Sequence, residues 1–295
     1  MEKILEIKKR TNRYEKEKFL AVLEEKLSAL GFECHQDVLG GISTKVNLST
    51  KCENPDYIFI AHYDTGKIMP FWIDWLFRII GVNRQLLMIG IIIFWSKYFM
   101  PWLEVTQEVV ATSLSFIFGL SFFSILFPNP KNFDDNTSGV ITLLTIAELI
   151  KQKNLDNIQL LFVDKEEKGL LGSFAQYRKM KNDGSLKNNP KVISIDCVGG
   201  RGEIPLIVRN GKSSYEKEFA DLIEKGFGKC KSIRTLLPLS DNFAFRKLGA
   251  LNISFVSKSL IPGGYFIKGI HSPMDKFLKT ERIEKLAKLL VNEIE

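Results

Sequence analysis

A chain of 295 residues is long enough for one large α/β domain or two small ones. Its net charge of +7 comes without an Arg-rich stripe or a nucleic-acid motif, so it reads as scattered surface lysines, with an anionic membrane surface as the next reading and nucleic acid set aside. The four cysteines, Cys34, Cys52, Cys197 and Cys230, show no CxxC pairing, which argues against a disulfide framework or a zinc knuckle and fits a reducing compartment.

The N-terminal stretch is too charged to read as a signal peptide. From about residue 12 to 30, Phe19, Leu20, Leu23, Leu27 and Leu30 recur at helical spacing, and Gly31 ends the run. "DYIFIAHYD" follows as a buried strand with Tyr57 to Ala61 at its core. Further on, Ser138 to Gln152 predicts a helix, Asn157 to Asp164 a strand, "GLLGSFAQYRKM" a helix and Lys191 to Val198 a strand. "SYEKEFADLIEKGFG" predicts a helix, "ALNISFV" a strand, and "TERIEKLAKLLVNEI" a last helix capped by its Thr. Strands alternating with helices predict a three-layer α/β sandwich around a mixed, mostly parallel sheet.

One region breaks this rhythm. From Ile79 to Phe127 the only charged residues are Arg84, Lys97, Glu104 and Glu108. Val109 to Phe127 carries no charge and has the length of a membrane-spanning helix, and Leu86 to Leu103 is a weaker partner interrupted by Lys97. Trp72, Trp75, Trp95 and Trp102 lie in or beside it, as interfacial aromatics do. The expectation is an inserted hydrophobic hairpin at 71–128, with helices at about 86–103 and 109–127, between catalytic parts at 1–70 and 129–295. The other reading is a buried apolar hairpin or lid. "EVTQE" between the two runs lacks Lys and Arg, whereas Lys67, Arg78, Arg84 and Lys131 flank them, so a multi-pass cell-membrane protein with its catalytic domain in the cytoplasm is expected.

Chemistry concentrates at loops that follow strands. "HYD" places His62 and Asp64 after the first of these strands; "NFDDNTSG" places Asp134 and Asp135 before a helix; "DKEE" places Glu166 and Glu167 after a strand. Asp196 closes another apolar strand, and His271 sits in "HSPMD" ahead of the last helix. Ligands of open α/β sheets bind beyond the carboxyl ends of the strands. Singly, a histidine after a strand or an Asp before a helix is more often structural. Two histidines and several carboxylates converging there require a cation to offset their repulsion.

The ordered set HxD, DDNxSG, EE-x-GLLGS, a strand-closing Asp and HSxxD resembles the co-catalytic zinc aminopeptidase family, which includes secreted bacterial leucine-type aminopeptidases, glutamate carboxypeptidase II and the glutaminyl cyclases. The similarity spans about residues 55–66 and 130–278. It implies a zinc exopeptidase-like fold and two zinc ions bridged by Asp135. One zinc would be held also by His62 and Asp196, the other by Glu167 and His271. It further implies Asp64 as the carboxylate that orients His62, Glu166 as general base, and Asp241 in "SDNFAF" as a residue near the substrate. Asn242 stands where the family often has His. The function the resemblance implies is an aminopeptidase acting on peptides, and the hydropathy of the insert adds the expectation that it is membrane-anchored. A glutaminyl cyclase-like acyltransferase, or a non-catalytic membrane protein with a peptidase fold, stays as the alternative.

Overall fold

Two interleaved apolar sets on each central strand decide the architecture of the computed structural model, which describes residues 2–41, 43–84, 87, 90, 94, 98, 123–235 and 240–294. On strand β3 (Tyr57–His62), Phe59 and Ala61 join one core cluster and Ile58 and Ile60 the other. Successive side chains of a strand point to opposite faces, so a strand apolar at every position is covered on both. The same holds for β4 (Ile158–Val163), where Leu160 and Phe162 face one core and Leu161 and Val163 the other.

The strands added to these are β1 (Cys34–Leu39), β2 (Lys45–Thr50), β5 (Lys191–Ile195), β6 (Ile204–Arg209), β7 (Lys231–Arg234) and β8 (Leu251–Lys258). Their order across the sheet is β1-β2-β4-β3-β5-β8-β6-β7, with the two-residue β9 (Tyr265–Phe266) on β8. The pairs β4/β3, β3/β5, β5/β8 and β6/β7 are parallel; β1/β2, β2/β4, β6/β8 and β8/β9 are antiparallel. The sheet is therefore mixed, with parallel pairing concentrated at its centre. The expectation of a mostly parallel sheet is corrected at the margins, where β1, β2, β6 and β7 have no counterpart in the sequence reading.

The larger core packs helices α1 (Glu2–Glu6), α2 (Arg13–Ala29), α4 (Gly139–Lys153), α6 (Glu216–Phe227) and α7 (Thr280–Glu293) on one face. On the other lies α5 (Leu171–Asp183), with Phe174, Tyr177 and Met180 turned inward. Helix α2 starts with a capping box between Asn12 and Glu15. Helix α7 does not start on a Thr cap: Thr280 is its first helical residue, and Lys279 at the cap position offers no side-chain bond.

Helix α3 (Phe71–Ile80) opens the inserted region. Its Phe77 and Ile80 pack on Phe266, while Phe71 and Trp75 remain 76% and 60% exposed. The backbone N–H groups of Leu260 and Ile261 bond the Arg78 and Ile79 carbonyls at 2.9 and 2.8 Å, docking α3 on the loop after β8. The stems of the inserted region are paired: Ile68 N–H bonds the Phe127 carbonyl at 3.0 Å, and Asn129 N–H bonds that of Gly66 at 3.1 Å. The chain therefore leaves and rejoins the domain at one place. The two expected membrane helices fall almost wholly outside the described residues. Among the described residues no helix is long and apolar enough to cross a membrane.

Candidate metal centre

The parallel register lines up the carboxyl ends of β3, β4 and β5, and the candidate residues follow those ends. His62 is the last residue of β3, Glu166 and Glu167 come after β4, and Asp196 follows β5. Asp135 lies in the turn Phe133–Ser138 that leads into α4, and His271 in the loop before α7. Lys165, Cys197 and His271 adopt left-handed φ values of 57°, 55° and 51°. Such backbone costs of order 1–3 kcal/mol for a residue with a side chain, and here it aims the neighbouring donors at one point. Gly66 is required for the same convergence: a Cβ there would sit 2.6 Å from Glu167 Oε1 and 2.5 Å from His271 Nδ1.

Among the described residues two donor groups lie side by side, and a third, Asp135, Asp196 and Cys197, overlaps them. His62, Glu166 and Asp196 bring one atom each within 4.8 Å of one another, and so do Asp135, Glu167 and His271. Asp135 faces both: its Oδ1 lies 3.2 Å from His62 Nε2 and its Oδ2 3.6 Å from His271 Nε2. Asp196 Oδ1 is 3.7 Å from His62 Nε2, and Glu167 Oε1 is 3.6 Å from His271 Nδ1. Asp64 backs His62, its Oδ1 3.6 Å from His62 Nδ1, and the same oxygen accepts the backbone N–H of Glu166 at 3.0 Å. Asp134 is turned away. Its Oδ1 accepts the N–H groups of Gly199 and Gly200 at 2.9 and 2.7 Å, and burial next to Asp135 and Asp196 pushes its pKa to about 7.

The electrostatics call for a cation. Burial, then the charges of Glu167, Asp241 and Asp196, hold Glu166 well above the usual carboxylate range against the pull of His62. Burial, then Asp135, Asp64 and Asp196, does the same to Glu167. Burial opposes a charge on His62, but Glu166, Asp135, Asp196 and Asp64 outweigh it and raise its pKa. His62 Nε2 and Glu167 Oε1 are buried without a hydrogen-bond partner. Orphaned polar atoms of this kind are rare in folded interiors, and both belong to residues with lone pairs suited to zinc. The donor set therefore fits a metal ion, with His62, Glu166 and Asp196 as one candidate group of donors and Asp135, Glu167 and His271 as another.

Beside the donors lies a cavity of about 160 Å³ with Asp135, Glu166, Asp196 and His271 at its base. Its walls are mainly apolar: Phe77 and Val82 from the inserted region, Leu206 and Val208 of β6, and Ile233 and Ile267. Asp241 is fully buried and accepts the Ser173 hydroxyl, while its neighbour Ser240 lines the cavity and donates to Asp196 Oδ2 at 3.1 Å. Asn242 is also buried, donating to Val208 O at 3.2 Å and Asn210 Oδ1 at 2.9 Å. Sequence reasoning gave no role to Asp275, whose carboxylate accepts the N–H groups of Asp134 and Asp135 at 2.8 and 3.1 Å. Its place in "HSPMD" was the available signal. The cavity walls had none, because their residues are far apart in sequence.

Solved structures share this fold. A Porphyromonas gingivalis glutaminyl cyclase superposes with a TM-score of 0.66 at 14% identity, over 99% of this chain and 94% of that one. A zinc-dependent exopeptidase from Parabacteroides distasonis gives 0.64 at 14% identity, over 99% and 94%. The LapA aminopeptidase of Legionella pneumophila gives 0.64 at 14% identity, over 99% and 69%. No curated protein sequence matches the chain. Residues 127–292, more than half of the chain, match peptidase family M28, and the chain belongs to that family of metallopeptidases, the one its motifs resemble.

Proposed function

We propose that the protein is a two-zinc aminopeptidase that removes N-terminal residues from peptides. The observation that carries this reading is Asp135 standing between two donor groups, 3.2 Å from His62 and 3.6 Å from His271, beside a mainly apolar cavity. Zinc bound there would supply Lewis acidity toward water and a peptide carbonyl. Glu166 is half-buried at the cavity with its pKa raised, so it can accept a proton from the attacking water and return it to the leaving amine. Asp64 stands behind His62 Nδ1, its backbone carbonyl 3.3 Å and its carboxylate 3.6 Å away, so it can orient the ring, and the same carboxylate fixes the Glu166 backbone. Among the described residues that line the cavity, none is Lys or Arg, so nothing there pairs with a substrate carboxylate. That favours release of an N-terminal residue with an apolar side chain over carboxypeptidase action.

The membrane anchor belongs to the same proposal. The paired stems at Gly66–Ile68 and Phe127–Asn129, the exposed Phe71 and Trp75, and the apolar sequence at 86–127 support a hairpin that holds the domain against a bilayer from the cytoplasmic side. Metal analysis with a screen of aminoacyl-arylamides tests the enzyme reading. Two zinc per chain and release of apolar residues support it; one zinc with cyclisation of glutaminyl peptides would replace it with the cyclase reading. Recovery of the full chain in a soluble, monodisperse form without detergent would remove the anchor.

A further inference from the structure

Among the described residues Arg10 is the deepest cation behind the metal centre, with no exposure at all. Its backbone N–H bonds Thr65 Oγ1 at 2.9 Å, and its Nε donates to the Tyr63 carbonyl, which fixes the loop between His62 and Gly66 from behind. One Nη donates to Thr137 Oγ1 at 3.0 Å, two residues from Asp135, and the other to the Ile7 carbonyl at 3.0 Å. The guanidinium stacks on Phe19, 4.4 Å from the ring centre. The same N-terminal segment reaches the second loop again where Asn132 Nδ2 donates to the Lys8 carbonyl at 2.9 Å.

None of these hydrogen-bond partners is a carboxylate. A buried charge bonded only to neutral oxygens is costly unless an opposite charge faces it across the packing. Burial lowers the Arg10 pKa to about 10, and the carboxylates that oppose this are Asp64, Asp135 and Asp275. These are the outer partner of His62, the shared metal donor and the carboxylate beneath it. Its hydrogen bonds end on Tyr63, next to Asp64, and on Thr137, two residues from Asp135, so the charges that face Arg10 lie in the loops of the metal centre, and Arg10 in turn offsets part of their mutual repulsion.

We propose that Arg10 is a positioning residue for the metal centre, tying the His62 and Asp135 loops together and serving as their counter-cation while no metal is bound. This rests on the two-metal reading of the donors. It makes a demand that a plain structural tie does not. With metal in place the carboxylates are neutralised from the other side, so Arg10 matters most to the metal-free fold.

The test compares thermal midpoints of metal-free and zinc-loaded full-length protein for the wild type, Arg10→Met and Arg10→Lys. Zinc must first raise the wild-type midpoint; if it does not, the metal reading fails, independently of Arg10. Given that rise, Arg10→Met should enlarge it by about 4 °C or more, since it weakens the metal-free form further than the loaded one. A metal-free Arg10→Met that stays unfolded until zinc is added gives the same support. Equal losses in both forms, or a larger loss in the loaded form, overturn the proposal and leave Arg10 a structural tie. If Arg10→Met folds in neither form, Arg10→Lys decides: keeping the charge without the fork, it should lower both midpoints alike, and a selective loss of the metal-free form overturns the proposal.

Discussion

Asp275 accepts the backbone N–H of Asp135 at 3.1 Å through one carboxylate oxygen while its other oxygen takes the N–H of Asp134 at 2.8 Å. The residue four places after His271 thereby sets the backbone that carries the candidate metal donor Asp135. Burial and the nearby Asp134 raise the Asp275 pKa to about 8. Asp275→Asn keeps the size but turns an amide NH₂ toward one of the two N–H groups. Leaving a buried donor unsatisfied costs about 1–3 kcal/mol, so urea unfolding should show a loss of that order. Zinc affinity, read by chelator competition, should fall about 10–100-fold, as for other supports of metal ligands. Unchanged affinity would show that the Asp135 loop holds its position without Asp275.

Glu166 and Glu167 are adjacent, yet their surroundings separate them. Glu167 Oε1 points at His271, whereas Glu166 lines the cavity. Glu166→Gln should keep its zinc and lower kcat by roughly 10²–10⁴-fold, the range for loss of a general base. Glu167→Gln should lower zinc content instead, measured by plasma emission on dialysed protein. If Glu166→Gln lost zinc as Glu167→Gln does, Glu166 would be a ligand, in keeping with its place beside His62 and Asp196.

The centre of the fold was legible because β3, β4 and β5 are apolar on both faces, and the donors follow them as short motifs. Strands β1 and β2 were not, since "CHQDVL" and "KVNLST" carry polar residues that pair with polar neighbours: Asn47 bonds Gln176 at 3.0 Å, and Gln176 bonds Asp37 at 2.8 Å. Arg10 was hidden for a related reason. In "IKKRTNRY" it looks like one more solvated charge, and only tertiary packing distinguishes it from Lys8 and Lys9. Local pattern shows where a chain is apolar; it does not show which charge the fold will bury.

Val82 follows α3 and lines the cavity opposite β6, so the inserted region should help set substrate preference. Val82→Phe fills part of a space of about 160 Å³. For leucyl-arylamide, kcat/KM should fall at least about 10-fold relative to alanyl-arylamide, the scale for a few methylenes in an apolar pocket. An equal fall for both substrates would place Val82 outside the side-chain subsite.

Lys16 of α2 pairs with Asp164, the residue after β4, with side-chain exposures of 9% and 4%. Asp164 also accepts the Val46 N–H at 3.4 Å, and its own N–H bonds Asn47 Oδ1 at 2.9 Å, so it joins α2, β2 and β4 just before Glu166 and Glu167. Burial raises the Asp164 pKa even against the attraction of Lys16, which marks how much desolvation the pair bears. Removing one partner leaves the other charge buried alone. Lys16→Met should therefore cost about 3–5 kcal/mol in urea unfolding. Replacing both, as Lys16→Met with Asp164→Leu, should recover most of that loss, because an apolar pair of similar volume has no charge to desolvate. If the double variant were as unstable as the single one, the bonds from Asp164 to β2, and not its charge pairing with Lys16, would be what holds the end of β4.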